Sequence, residues 1–120
     1  MEPLTEQELH NLAMNIVGKE LEADGFEFLT VNSELRKNPQ FVCIKEKKLH
    51  FVVVKSISYP GDPKDLDFFR SDLNKMKAHA LKFEARTFYA AVGLVNASDY
   101  NLPVYLNEDY IVDYDGLIEI

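Results

Sequence analysis

The stretch LHFVVVK at residues 49–55 decides the fold, because it is apolar on both faces in its middle. Such a strand usually lies in the centre of a sheet, with other elements covering both sides. The run QFVCIK at residues 40–45 precedes it, and the charged tripeptide EKK at residues 46–48 joins the two as a tight turn. We therefore predict a β-hairpin whose second strand is the centre of the sheet.

Two helices and several strands are predicted around this hairpin. The capping box Thr5-Glu6-Gln7-Glu8 begins the first helix, an apolar stripe with helical spacing follows, and Gly25 ends it. After a loop at residues 59–63, a second apolar seam has residues three and four apart. The predicted elements are helices at 6–24 and 63–84, strands at 26–31, 40–45, 49–56 and 87–95, and short extended pieces at 102–106, 110–112 and 117–120.

Composition indicates one globular domain. The chain has 120 residues, of which 47% are hydrophobic and 28% are charged, so it is neither disordered nor membrane-embedded. No apolar run approaches the about 20 residues of a spanning helix, and no signal peptide is visible. The only cysteine, Cys43, excludes an internal disulfide and fits a reducing compartment as a small buried hydrophobe. We expect a single cytoplasmic domain over residues 1–120, with its core at about 5–96 and a C-terminal extension at about 99–120.

The net charge of −7 disfavours a nucleic-acid partner, because neutralising phosphates requires basic side chains. A local basic patch is still compatible with the sequence, since five lysines crowd one third of the chain. These lysines are Lys37, Lys45, Lys47, Lys48 and Lys55. They form either such a patch or the solvated tip of a hairpin.

Two segments and the order of the elements resemble a known superfamily. GFEFLTVN at residues 25–32 resembles the turn and first strand of small bacterial nuclease-like proteins, and residues 49–55 resemble their strand that ends in Phe-Val-Glu-Val-Lys. The order helix, strand, two-strand hairpin, helix, strand is similar to the PD-(D/E)XK nuclease core. The resemblance covers roughly residues 8–95. It implies an α/β fold with a restriction-endonuclease-like core, in which helices flank a mixed central sheet (α-β-β-β-α-β plus short C-terminal strands).

The resemblance also implies which positions matter for catalysis. In this superfamily two carboxylates hold divalent cations beside the scissile phosphate, and a lysine on the second strand helps to orient the attacking water. The corresponding positions here are Gln40, Val53 and Lys55, and the position of an assisting acid on the first helix is Met14. Only Lys55 matches the family. We therefore predict no metal, no cofactor and no metal-dependent catalysis, and a role as a binding or assembly module.

An active metal-dependent nucleic-acid hydrolase with Mg²⁺ is the alternative. It requires carboxylates that have migrated toward Lys55, and the candidates are Glu20, Asp62, Asp65 and Asp67. Ordinary helix-end and capping roles are the other interpretation of these four acids. We expect the Lys55 ammonium either to contact an acidic side chain, first of all Glu20, or to reach solvent. The three histidines have neither metal-ligand spacing nor a matched carboxylate.

The C-terminal extension is rich in apolar and aromatic residues, among them Tyr105, Tyr110 and Tyr114. Each large side chain that it buries gains about 1.5–3 kcal/mol, so this segment will not stay free in water. We expect it to fold back on its own sheet and to leave a remainder that binds a protein. We expect this remainder to form a symmetric dimer, and the alternative is another chain to which residues 117–120 add an edge strand.

Overall fold

The computed structural model describes residues 2–35, 37–65 and 70–120 of the chain. These residues form helices and strands in the order α-β-β-β-α-β-β-β. The helices are α1 (Glu6–Ala23) and α2 (Arg70–Leu81), and the strands are β1 (Glu27–Val31), β2 (Phe41–Lys45), β3 (Lys48–Ser58), β4 (Arg86–Asn96), β5 (Tyr110–Asp113) and β6 (Ile118–Glu119).

All of these strands belong to one mixed sheet. β1, β2, β3, β4 and β5 are neighbours in that order, and β6 pairs with β4 beyond the end of β5. β3 and β4 run parallel, whereas the other pairs are antiparallel. β3 is therefore central, and α2 lies in the long connection that two parallel strands require. The predicted α/β class with a mixed sheet is confirmed.

Local signals set both ends of α1. The Thr5 hydroxyl accepts from the Glu8 N–H at 3.1 Å, and the Glu8 carboxylate accepts from the Thr5 N–H at 3.0 Å, which completes the predicted capping box. At the other end Gly25 has a φ of 87°, and the Phe26 N–H donates to the Leu21 C=O at 3.0 Å. The chain thus turns directly from α1 into β1.

The sheet separates two hydrophobic cores. The α1-side core, between α1 and the sheet, includes Ala13, Val17, Leu21, Val52 and Val54. The α2-side core, on the opposite face, includes Phe51, Val53, Leu73, Met76 and Ala80. Successive strand residues point to opposite faces, so β3 supplies both cores. That is why residues 51–54 are apolar without interruption.

The second helix is shorter than the sequence predicted. The prediction covered residues 63–84, whereas α2 is Arg70–Leu81, and residues 66–69 lie outside the described part of the chain. The Asp62 side chain accepts from the Lys64 N–H at 2.9 Å, and its C=O accepts from the Asp65 N–H at 3.0 Å. Residues 62–65 therefore form a turn and not the first turn of the helix. Beyond Leu81, the φ of 56° at Glu84 is incompatible with a continuing helix.

Gly93 lies on the α2 side of β4, the face on which Ala91 packs in the α2-side core. The close neighbours come from a loop and from β5. A Cβ at Gly93 would lie 2.8 Å from Cγ of Pro63 and 3.1 Å from Cβ of Asp113. The loop at residues 59–65 and β5 therefore leave no room for a side chain at position 93.

The C-terminal extension folds back on the sheet. β5 pairs with residues 93–96 of β4, and β6 pairs with residues 88 and 89. Arg86 donates two hydrogen bonds of 2.7 Å to the Glu119 carboxylate, which ties β6 to the start of β4. Upstream, Val104 is buried in the α1-side core, and its C=O accepts from the Leu4 N–H at 2.8 Å. The extension is therefore part of the fold.

Two further expectations concern the burial of Cys43 and membrane-spanning helices. Cys43 is fully buried in the α1-side core, and this burial raises the pKa of its thiol to about 11, so the prediction of a buried hydrophobe is confirmed. Neither helix in the described ranges is both long and apolar enough to cross a membrane. The cytoplasmic location stays a prediction.

Candidate functional site

The Gln40 side chain accepts a hydrogen bond from β3 just beyond the point where the pairing between β2 and β3 ends. The ladder between these strands starts at the pair Phe41 and Val52, so no β2 residue lies opposite Val54. The Gln40 Oε1 accepts from the Val54 N–H at 2.6 Å, and its Nε2 donates to Asn38 Oδ1 at 2.7 Å. The side chain is fully buried. An amide supplies both the acceptor and the donor used here, whereas a carboxylate offers only acceptors and would lose its hydration.

Met14 and Val53, two further positions implied by the resemblance, lie on opposite faces of the sheet. Met14 belongs to the α1-side core and Val53 to the α2-side core. The Gln40 side chain, in contrast, reaches the backbone N–H of Val54 at the edge of the strand. Gln40 thus lies beside the peptide that joins Val53 to Val54, whereas the sheet separates Met14 from Val53, and both of these are packed as apolar core residues.

Lys55 lines a cavity of about 220 Å³ beside the second half of β3. Glu6 and His10 from α1 and Ser56 from β3 also line it. His10 is buried, and its pKa is lowered first by burial and then by the positive charge of Lys55. The ammonium of Lys55 thus lies near an imidazole that stays neutral at neutral pH, and Glu6 supplies the carboxylate among the described lining residues.

Sequence reasoning missed His10 as part of this cavity. The available signal was its position, because residues 10, 14, 17 and 21 recur with helical spacing and form the buried stripe of α1. Its Nε2 has no hydrogen-bond partner among the residues that the structure describes. Leaving a buried polar atom unpaired costs about 1–3 kcal/mol. The cavity is therefore the place where the interior under α1 becomes polar.

Glu20, the first candidate partner for Lys55, lies at the other end of α1. It is ten residues after His10, which is about 15 Å along the helix axis. Its carboxylate accepts a hydrogen bond from the Tyr114 hydroxyl at 3.0 Å. Burial raises the pKa of Tyr114, and the negative charge of Glu20 raises it further. The structure thus gives Glu20 a role in fixing the C-terminal extension to α1.

The other described candidates, Asp62 and Asp65, share the turn at residues 62–65. Asp62 is exposed and caps the turn at residues 62–65. Asp65 lies near Tyr89, whose pKa is raised by burial and then by the charge of Asp65. Asp67 lies outside the described residues. Across residues 2–35, 37–65 and 70–120, no group of three or more histidine, cysteine, aspartate or glutamate side chains is arranged to hold a metal ion.

A second buried histidine lies at the start of β3 and was also missed. The ring of His50 stacks on Phe88 with centroids 5.3 Å apart and meets Phe26 edge-on at 4.9 Å. Its Nδ1 donates to the Lys48 C=O at 2.9 Å. Burial lowers the pKa of His50, although the hydrogen bond to Lys48 acts in the opposite direction. His50 thus serves as a neutral aromatic side chain in the core.

A family model described as a domain of unknown function matches residues 7–120, from the first turn of α1 to the last residue. The chain belongs to the DUF8840 family. No curated protein and no solved structure matches it. The DUF8840 match includes β5 and β6, which agrees with one unit in which the C-terminal extension completes the sheet.

Proposed function

We propose that this DUF8840 domain is a protein-binding or assembly module on a nuclease-like core that has lost metal-dependent catalysis. The observation that carries the proposal is the buried amide of Gln40, whose acceptor and donor are committed to Val54 and Asn38. In nucleases of the resembled type this position holds a metal ligand. Here its side chain accepts a hydrogen bond from the backbone of the central strand β3. Fold alone would not support this conclusion, because one fold hosts many functions.

The arrangement of the elements supports the nuclease-like part of the proposal. α1, the antiparallel strands β1 to β3, α2 and the parallel strand β4 follow the order on which the resemblance rests. The structural roles of Glu20 and Asp62, which bind Tyr114 and cap a turn, support the loss of catalysis. Hard cations require several oxygen ligands at one point, and among the described residues no group of three or more ligand side chains is arranged in this way.

Exposed apolar side chains on two sheet edges support the binding part. On β1, Leu29 and Val31 are each 56% exposed, and on β5, Ile111 and Val112 are 42% and 43% exposed. An edge strand presents unpaired N–H and C=O groups, to which an extended segment of another chain can add. Apolar side chains beside such groups are typical of surfaces that a partner covers.

A cleavage assay with the intact chain tests the proposal. Plasmid DNA and single-stranded DNA and RNA are incubated with Mg²⁺ or Mn²⁺, beside an active nuclease as a positive control. We expect intact substrates, and no saturable binding of either ion in calorimetry. Cleavage that a Lys55→Ala variant abolishes would contradict the proposal and support the alternative, a hydrolase whose carboxylates have migrated.

A further inference from the structure

β5 presents an open edge, because it is the last strand in the order of the described sheet. The Ala97 N–H donates to the Asp109 C=O at 3.3 Å, so two residues later Ile111 also bonds toward β4. In an antiparallel ladder the residues between them point the other way. Tyr110 and Val112 therefore direct their N–H and C=O groups outward, where an added strand would find four backbone partners.

A groove of about 400 Å³ lies beside this edge, between α1 and the loop that precedes β5. Its lining includes the apolar residues Leu4, Leu12, Leu106 and Tyr110 and the acidic residues Glu8 and Glu108. No lysine, arginine or histidine lines it among the residues described. Tyr110 belongs to both the edge and the groove, so a strand added to β5 would direct alternate side chains toward the groove.

The C-terminal segment that supplies this edge carries charge of one sign. Residues 87–120 contain no lysine, arginine or histidine, and they contain six acidic residues. These are Asp99, Glu108, Asp109, Asp113, Asp115 and Glu119. The segment thus carries six of the seven net negative charges of the chain. Asp115 is paired with Lys64 at 3.3 Å and Glu119 with Arg86 at 2.7 Å, and the charge of Lys64 also acts on Asp113. Glu108, Asp109 and Asp113 flank the outward-facing residues.

This charge disfavours one symmetric pairing of two copies through the edge. If β5 paired with β5 of a second copy about a two-fold axis at Ile111, Asp109 of each chain would lie opposite Asp113 of the other. Like charges directly opposite each other destabilise a pair of strands. The edge at β1 is not equivalent, because its ladder has a bulge between Phe28 and Thr30, and bulges of this kind discourage pairing at an edge.

We propose that the β5 edge and the adjoining groove bind an extended, basic and apolar segment of a different protein. Its backbone pairs with Tyr110 and Val112, its apolar side chains enter the groove, and its lysine or arginine side chains meet Glu108, Asp109 and Asp113. This inference rests on the proposed binding function and specifies the partner.

The test uses the intact chain and a capped peptide of alternating leucine and lysine, with a leucine–glutamate peptide of equal length as its control. We expect the lysine peptide to bind saturably, with amide chemical-shift changes concentrated at Tyr110 and Val112, and the glutamate peptide not to bind. Affinity should fall as salt is raised from about 0.1 M to about 0.5 M, because surface charges are screened.

Two variants locate the binding surface. Val112→Pro removes one outward N–H without removing a hydrogen bond to β4. It should lower the affinity for the lysine peptide by at least about fivefold. Val31→Pro is the matched control on the other edge. The Asn32 N–H donates to the Gln40 C=O, so the Val31 N–H also points outward, and this change should leave affinity unaltered. If Val112→Pro fails to fold, the double variant Glu108→Gln with Asp109→Asn should still lower the affinity for the lysine peptide.

The outcomes separate this inference from the proposed function. Equal binding of the two peptides, or binding that neither Val112→Pro nor the double charge variant weakens, overturns the inference. A dimer in light scattering that Val112→Pro converts to a monomer also overturns it, because the occupant is then a second copy. Failure of the peptide to bind overturns the inference alone, whereas metal-dependent cleavage that requires Lys55 overturns the proposed function.

Discussion

Replacing Gln40 with methionine removes both polar groups of a fully buried side chain while nearly keeping its volume. The Val54 N–H, which donates to the Gln40 Oε1 at 2.6 Å, is then left without a partner in the interior. An orphaned buried donor costs about 1–3 kcal/mol, and the lost bond to the half-buried Asn38 adds about 0.5–1 kcal/mol. We expect Gln40→Met to lower the free energy of unfolding by about 1.5–4 kcal/mol, or Tm by about 6–16 °C.

Urea unfolding followed by circular dichroism measures this loss. The matched control is Gln7→Met, because Gln7 is more exposed and also donates hydrogen bonds, to Asn11 at 2.9 Å and to the Ser33 C=O at 2.8 Å. Water can replace these bonds, so the control should change the free energy of unfolding by less than about 1 kcal/mol. A loss for Gln40→Met that is no greater than for Gln7→Met would refute the reasoning that this position serves the central strand.

Further predictions concern pH, the extension and the thiol. His10 and His50 have lowered pKa values, so the stability that depends on their neutral forms is present above the unfolded value of about 6.5 and is lost as the pH falls below it. The urea midpoint should therefore be lower at about pH 5.5 than at about pH 7.5, and a constant midpoint would contradict this. Tyr114→Phe removes the bond to Glu20 and should cost about 0.5–1.5 kcal/mol in the same assay; an unchanged curve would mean that other contacts hold the extension. Cys43, with a pKa of about 11, should resist a thiol reagent until the chain is unfolded, and rapid modification of the folded chain would contradict its burial.

The centre of the sheet and the first helix were predictable because their signals are local. The run of apolar residues at 49–55 and the charged turn before it identify the hairpin without knowledge of the rest of the chain. The turn residues Glu46 and Lys47 both have positive φ, of 53° and 65°, a conformation that usually favours glycine. The charged residues nevertheless indicated the turn. The capping box and Gly25 likewise placed α1 to within one residue.

The site was not predictable in the same way, because it depends on non-local pairing. The face that Met14 or Val53 presents is fixed only when the strands pair and the helices pack. Glu20 has its partner Tyr114 94 residues away, beyond the reach of any local pattern. The predicted start of α2 was wrong for another reason, because an aspartate before a proline, here Asp62 and Pro63, favours a helix start and a turn alike. At residues 62–65 the turn prevailed.

The unequal anchoring of the two helices has a consequence for motion. Within the described residues, α1 (18 residues) buries His10, Ala13, Met14, Val17 and Leu21, and α2 (12 residues) buries Leu73, Met76 and Ala80. A helix of about 12 residues is marginal by itself and depends on packing. Because the sheet keeps the two cores apart, α2 can detach while the α1-side core stays intact, which is an opening of one layer at a free energy below that of global unfolding. Amide hydrogens of α2 should then exchange with solvent sooner than those of α1, and each opening would briefly wet Phe51 and Val53 in a chain that is otherwise folded.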